Sequence, residues 1–378
     1  MIINNIFKPE FASIFFELKM KIHSESAQKI SLWKKLKRKI FFLLRLNHHP
    51  VIKVYHGYGN EKKIVVMGHV LKLSPFPRKT YRPNWLVNLF SMLRMFMVIP
   101  YSRAKISIEW QEMTYYATAG EDGFFKFEFF PEIPVVKGWQ KIEVTLEEEK
   151  YRHRMINGVS EIYVPYPSQH GFISDIDDTF LISYSARFRR KLYVLFTKNA
   201  HSRKPFKGVV KHYQLLARHN RVAENQNPFF YVSGSEWNLY SLITEFAQVN
   251  SMPKGIFLLS KIKGLQQFWK TGSTNLMTKF ARIVRIIEDF PHLQFVLLGD
   301  DTQIDVSIYL SVVKHFPGKI FAVYIRQVGK RKKQQALDHL KEMENLSVPC
   351  CYFRHSAEAI IHSEKIGLAD QKSKTNKR

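Results

Sequence analysis

The sequence predicts an α/β protein: a doubly wound parallel sheet in the second half of the chain, preceded by a small β-sandwich-like domain and a basic helical N-terminus. Three observations carry this. From about residue 171 short apolar runs alternate with helical patterns, the order that builds a parallel sheet covered on both faces. Several of those runs end in polar groups able to do chemistry: G-F-I-S-D-I-D-D-T at 171–179, P-F-F-Y-V-S at 228–233 and F-V-L-L-G-D-D at 295–301. Between about 51 and 150 the period is 2 instead, which marks half-buried strands.

The elements follow in chain order, with boundaries expected at 1–50, 51–150, 160–365 and 366–378. The first 50 residues are helical in pattern. In Ser31–Leu46, Trp33, Leu36, Ile40, Leu43 and Leu44 fall near one face, and Lys34, Lys35, Lys37, Arg38 and Lys39 load the rest. Two readings stay open: a helix lying on a membrane surface, or one packed on the next domain with a solvated basic face. His48 and His49, before Pro50, read as linker.

Strands are expected at Ile64–Leu73, Ala104–Trp110, Met113–Thr118 and Lys141–Leu146, with a turn at Gly120–Gly123. Short strands with turn signals predict the sandwich. H-G-Y-G at 56–59 lacks the Gly-Lys-Ser/Thr of a phosphate-binding P-loop. No catalytic constellation falls here, so this domain reads as scaffold or docking surface. The insert Tyr81–Tyr101 breaks the strand pattern. It reads as a buried helix or, alternatively, a lipid-facing one.

In the catalytic half, strands are expected at 171–174, 229–232, 255–259, 294–298 and 319–325, with helices at 207–218 and 278–290. Phe280, Ile283, Ile287 and Phe290 keep one helical apolar face. The tail 366–378 is polar and basic, a composition that predicts disorder.

An apolar run that ends in Asp175 and Asp177 places two carboxylates at the carboxyl end of a buried strand, where open α/β sheets bind ligands. One carboxylate can attack phosphorus and the other can pass a proton to the leaving oxygen. Taken alone, the same residues read equally as a solvated turn. Ser233, Lys279 and the acids Asp300, Asp301 and Asp305 then follow, each at or just beyond the end of an apolar element. That order is hard to obtain by chance.

The phrases S-D-I-D-D-T at 174–179, P-F-K-G-V at 205–209, F-Y-V-S-G-S-E-W-N-L-Y at 230–240, G-S-T at 272–274, I-I-E-D-F-P at 286–291 and F-V-L-L-G-D-D-T-Q-I-D at 295–305 resemble the actin-patch-type phosphatidate phosphatases. Those belong to the haloacid dehalogenase superfamily. The resemblance covers residues near 160 to near 330 and implies a Rossmann-like catalytic domain. It implies Asp175 as nucleophile, forming an aspartyl-phosphate, and Asp177 as general acid and then base. It implies Thr179 as a brace, Ser233 as a phosphoryl hydrogen-bond donor and Lys279 as a neutralising charge. It also implies Mg²⁺ ligated by Asp175, the Asp177 carbonyl and Asp300, with Asp305 holding a metal-bound water and Asp301 sharing that work. Several acids around a phosphate fit a hard divalent cation between them. The chain departs from the pattern at Gly234-Ser235-Glu236, where Ser-Pro is usual, and at Gly-Asp-Asp, where Gly-Asp-Ser is usual. Both changes add acid close to the expected phosphate, which bears on substrate preference.

Lys and Arg number 58 against 32 Asp and Glu, a formal net charge of +26. Such a charge selects anionic partners: a lipid surface, a nucleic acid or a phosphorylated protein. Arg187, Arg189, Arg190, Lys191, Arg203 and Lys204 crowd the stretch between the first two motifs. They read as a short basic lid that meets substrate, or as solvated turns. The most apolar segment, Trp85–Ile99, is too short to span a bilayer and carries Arg94. The amino terminus lacks the pattern of a secretory signal. The two cysteines, Cys350 and Cys351, are sequence neighbours that point to opposite faces of a strand, which fits a reducing compartment. The expectation is a cytoplasmic protein, soluble or peripheral on the inner membrane surface. Its expected activity is Mg²⁺-dependent hydrolysis of phosphatidate or a related phospholipid monoester. A nucleic-acid end phosphatase is the second reading, though no RNP-type motif accompanies it. A basic lipid- or RNA-binding adaptor with an inactive site is the third.

Overall fold

A computed structural model describes residues 46–47, 49–75, 95, 98–148, 155–166, 170–176, 205–219, 226–261, 275–301, 305–328 and 333–369. The chain divides into two compact units, 1–48 and 49–378. In the first, only Leu46–Asn47 is described, as a short strand. The basic helix expected at 31–46 lies outside the described residues except for Leu46, which is strand, and most of the insert at 81–101 lies outside them too.

The second unit holds two sheets. The first is built from β1 (Val51–Val54), β2 (Gly57–Gly59), β3 (Ile64–Pro75), β4 (Ile99–Pro100), β5 (Lys105–Trp110), β6 (Met113–Thr118), β7 (Phe124–Phe129), β8 (Gly138–Leu146) and β9 (Asn157–Val164). Twelve-residue β3 is its hub and pairs antiparallel with β1, β2, β4 and β7. The sheet continues from β2 through β9 and β8 to β5 and β6, and only β2–β9 is parallel. The period-2 pattern has a direct cause. Ile64, Val66 and Val70 of β3 enter one core with Ile106, Ile108, Phe125, Phe127, Ile142 and Val144. Val65 and Met67, on the other face, join the core of the second sheet.

That second sheet is parallel throughout. Its strands are β10 (His170–Asp175), β11 (Phe229–Glu236), β12 (Gly255–Ser260), β13 (Gln294–Asp300), β14 (Ile320–Arg326) and β15 (Cys350–Phe353). They lie in the order β12-β11-β10-β13-β14-β15. The connecting helices are α1 (Val209–Arg218), α2 (Tyr240–Val249), α3 (Asn275–Asp289), α4 (Asp305–His315), α5 (Lys333–Asn345) and α6 (Ser356–Lys365). Continuous apolar runs such as Phe229–Val232 and Phe295–Leu298 are wholly buried, as expected of strands covered on both faces. Gly171 allows close packing, because a Cβ there would sit 2.4 Å from the Phe295 ring. The strand order reverses between β10 and β13, and ligands bind outside the carboxyl ends of strands at such a point. The two cysteines are free, half-buried thiols on β15, and burial pushes each up to about 12.

H-G-Y-G proves to be joinery. Gly57 lets β2 approach β3, since a Cβ there would lie 2.5 Å from the Val65 carbonyl oxygen. Tyr58 Oη donates to Asp289 Oδ2 at 2.8 Å and Asn60 Nδ2 to the Asp289 carbonyl at 2.7 Å. Lys63 pairs with the same carboxylate. Nearby, Tyr55 stacks on Trp237 with centroids 4.0 Å apart, and the His56 amide donates to Tyr240 Oη at 2.9 Å. The β-rich region thus grips the C-terminal end of α3. Removing a hydrogen bond to a buried carboxylate costs about 1.5–3 kcal/mol. Tyr58→Phe is therefore expected to lower the urea midpoint by that free energy at unchanged slope. An unshifted midpoint would show that the grip contributes nothing.

Candidate active site

The site assembles at the carboxyl edge of the parallel sheet. β10 carries the chain, buried on both sides, to Asp175, which is 1% exposed. Ser174 Oγ donates to the Asp175 carbonyl at 2.7 Å and accepts from Tyr213 Oη of α1 at 2.8 Å. This fixes the backbone where the strand ends. On the neighbouring strand β13, Gly299 precedes Asp300. A Cβ at Gly299 would meet the Tyr309 ring at 2.8 Å and Asp305 Oδ2 at 3.2 Å. Only glycine lets α4 fold back so that Asp305, its first residue, faces Asp300. The Tyr309 hydroxyl ties α4 down by donating to the Leu298 carbonyl at 2.9 Å.

Carboxylate oxygens of Asp175, Asp300 and Asp305 all lie within 4.8 Å of one another, and all three side chains are buried. Lys279 of α3 reaches the cluster from the side. Its Nζ donates to Asp175 Oδ1 at 2.6 Å and also to Asp305 Oδ1. Burial alone would pull this ammonium down, but Asp175 and Asp305 outweigh it and hold Lys279 above its ordinary value. Asp305 Oδ2 is buried with no hydrogen-bond partner among the described residues. Clustered carboxylate oxygens with an orphaned one among them suit Mg²⁺, which takes a few carboxylates and keeps the rest of its shell for water and phosphate. The residues present therefore fit the ion.

Ser233 lies one residue past Val232, which is in register with Asp175 across β10–β11. The Ser235 amide donates to Ser233 Oγ at 2.9 Å. Arg282 Nη1 donates to the Ser233 carbonyl at 3.1 Å. Asp301 is placed differently from the other acids. Its Oδ1 accepts from the Val328 amide at 2.9 Å and its Oδ2 from Tyr352 Oη at 2.8 Å. It ties the end of β13 to β14 and β15 and is not among the three acids that converge. Asp177 and Thr179 lie outside the described residues, as do Arg187, Arg189, Arg190, Lys191, Arg203 and Lys204.

Sequence reasoning missed two cations at this edge. Arg282 was signalled only by standing one turn after Lys279. Arg326, in register with Asp300, stacks over Phe206 and Phe353 at 4.7 and 4.8 Å and donates to Ser356 Oγ at 2.9 Å. Ser356 Oγ in turn donates to the Lys207 carbonyl at 3.0 Å. These contacts explain P-F-K-G at 205–208: Phe206 and Lys207 dock on Arg326 and Ser356. Gly208 turns with φ 79°, leaving no room for a side chain against Ser356.

Residues 170–327 match the family described as "Phosphatidate phosphatase APP1, catalytic domain". That stretch is similar to this family and spans less than half of the chain. Every described acid of the site, with Ser233 and Lys279, lies inside the APP1-type segment. Phosphatidate phosphatase APP1 of Saccharomyces cerevisiae is 32% identical over 190 residues, covering 49% of this chain and 31% of the yeast protein. An uncharacterized protein of Schizosaccharomyces pombe is 24% identical over 226 residues, covering 58% of this chain and 36% of that protein. The chain thus spans about a third of the length of the curated relatives it matches. Among solved structures, a carbohydrate acetylesterase from Xanthomonas citri aligns at 8% identity with a TM-score of 0.31, over 84% of this chain and 75% of that one. A likeness that weak says nothing about the site. Among the described residues no helix is long and apolar enough to cross a membrane.

Proposed function

We propose that this chain is a Mg²⁺-dependent phosphomonoesterase of the haloacid dehalogenase type, acting on phosphatidate or a related phospholipid at a membrane surface. The observation that carries the reading is the convergence of Asp175, Asp300, Asp305 and Lys279 at the carboxyl edge of a parallel sheet, where the strand order reverses. The name of the yeast relative supports the lipid substrate. In this reading residues 160–365 are a Rossmann-like catalytic domain, 51–150 a β-sandwich-like accessory domain and 1–50 a basic segment; of the tail expected to be disordered from 366, residues 366–369 are described, with Leu368 and Ala369 buried, so the ordered fold runs at least to 369.

The chemistry follows from the residues. Asp175 attacks phosphorus through a carboxylate oxygen as the bond to the leaving oxygen breaks, and Asp177 gives that oxygen a proton. Asp177 then takes a proton from water, whose oxygen displaces Asp175 from the aspartyl-phosphate and releases phosphate. Lys279 holds Asp175 in place and keeps it ionised. Ser233 donates to a phosphoryl oxygen and Thr179 braces the loop. Asp175, the Asp177 carbonyl, Asp300 and Asp305 would hold Mg²⁺, which supplies charge neutralisation at the phosphoryl oxygens. Asp301 acts outside this set, in the fold. Arg187, Arg189, Arg190, Lys191, Arg203 and Lys204, within a chain of net charge +26, meet anionic headgroups. The protein then works as a peripheral, cytoplasmic enzyme.

The test is phosphate release from lipid, nucleotide, polynucleotide-end and sugar monoesters, with Mg²⁺ and after chelation. Release from phosphatidate in anionic vesicles, falling with added salt, is the expected result. Preference for polynucleotide ends would replace the lipid reading with the nucleic-acid one. No release from any monoester would overturn the enzyme assignment.

A further inference from the structure

The charges around the site do not balance for a phosphate. Among the described residues Lys279 is the cation hydrogen-bonded to the cluster of Asp175, Asp300 and Asp305. A phosphate monoester near neutral pH brings about 1.5 to 2 further negative charges, and those need a cation of their own. Lys279 is committed to Asp175 and Asp305. Arg326 is stacked over two phenylalanines and bonded to Ser356.

Arg282 is different. It stands one turn after Lys279 on α3, and its one hydrogen bond among the described residues goes to the carbonyl of Ser233 at 3.1 Å. That carbonyl lies past the last regular pair of the ladder. β11 pairs with β12 through Val232 and then slips before resuming at Glu236, so residues 233–235 form an irregular, bulged stretch of the strand. No carboxylate pairs with Arg282 among the described residues. Half-buried and unpaired, it is drawn down by burial to about 10. An unpaired guanidinium partly removed from water is costly to keep, and an arriving anion relieves that cost. A guanidinium has five N–H donors, and one suffices for the carbonyl.

We propose that Arg282 is a further substrate-binding residue that sets affinity for the phosphoryl group: one N–H holds the Ser233 bulge and the remaining donors take a phosphoryl oxygen. This rests on the phosphatase reading above. It makes a single phosphate clamp, with Ser233 on one side and Arg282, one turn beyond Lys279, on the other. It also gives the β-rich region a task, because Tyr58, Asn60 and Lys63 hold the far end of the helix that carries both cations.

The experiment compares wild type, Arg282→Met and Arg282→Lys. It measures kcat and KM on the best monoester of the panel, the inhibition constant of inorganic phosphate with Mg²⁺ present, and thermal midpoints. Loss of a charge-assisted hydrogen bond predicts that Arg282→Met raises KM and the phosphate inhibition constant about 10- to 100-fold, with a smaller change in kcat. Arg282→Lys restores charge without the fork and should fall between. Unchanged phosphate affinity in Arg282→Met, while wild type turns over substrate, would overturn the proposal alone. So would a fall in kcat that tracks the thermal midpoint at constant KM, which would mark a structural role. Should Arg282→Met not fold, Arg282→Lys decides: unaltered phosphate affinity refutes the clamp. A wild type that releases no phosphate from any monoester would remove both this proposal and the phosphatase reading.

Discussion

Asp175→Asn is expected to cut phosphate release by roughly 10⁴- to 10⁶-fold, the scale on which removal of a covalent nucleophile acts. The amide keeps the shape of the carboxylate, and its oxygen still accepts from Lys279 Nζ, 2.6 Å away in the wild type. The lost quantity is the attacking charge. The fold should gain, because the substitution removes one of three buried like charges held within 4.8 Å of one another. Single-turnover measurement with purified protein, together with urea unfolding, separates the two effects. Activity should vanish while the midpoint holds or rises. A folded Asp175→Asn protein that retained even a hundredth of the wild-type rate would sink the aspartyl-phosphate mechanism.

The sequence was legible wherever one physical cause dominated. β10, β11 and β13 show as apolar runs because both faces of the parallel sheet are covered. α3 shows its period because Ile283, Ile286, Ile287 and Phe290 are buried while Arg285 and Glu288 face water. Strand order is another matter. Nothing in local pattern says that β13 pairs with β10 rather than with β12, because that pairing is decided by non-local packing. β9 was harder still: Ser160 and Glu161 interrupt its apolar residues, and it earns its place by pairing with β8 over eight positions.

The acids show the same limit at finer scale. Asp300 and Asp301 are adjacent and chemically identical, so sequence alone assigns both to metal. At the strand end they turn apart, Asp300 toward Asp175 and Asp305, Asp301 toward the Val328 amide and Tyr352. Only the partners distinguish a ligand from a tie. H-G-Y-G lacks the Gly-Lys-Ser/Thr of a phosphate cradle, and only the structure shows that its tyrosine serves Asp289.

Removal of divalent metal is expected to abolish activity, and Mg²⁺ to restore it, but the more telling result is on stability. The acid cluster is held together by Lys279, which bonds Asp175 and Asp305, so the metal-free protein keeps buried like charges close together. An ion bound only by the folded state stabilises it by RT ln(1 + [L]/Kd), about 2.7 kcal/mol at one hundred times Kd. Wild type should therefore show a rising thermal midpoint with Mg²⁺. Asp300→Asn removes a charge from the cluster without touching either bond of Lys279. It should unfold no more easily than wild type in chelator, and it should lose most of the Mg²⁺-dependent shift. This pairing of outcomes separates a ligand from a merely structural aspartate, because loss of a structural carboxylate would lower the metal-free midpoint as well. Asp301→Asn supplies that contrast: its bonds to Val328 and Tyr352 predict a lower midpoint in chelator and an intact Mg²⁺ shift. An Asp300→Asn protein that kept the full shift would place the ion elsewhere, and the convergence of Asp175, Asp300 and Asp305 would then need another explanation.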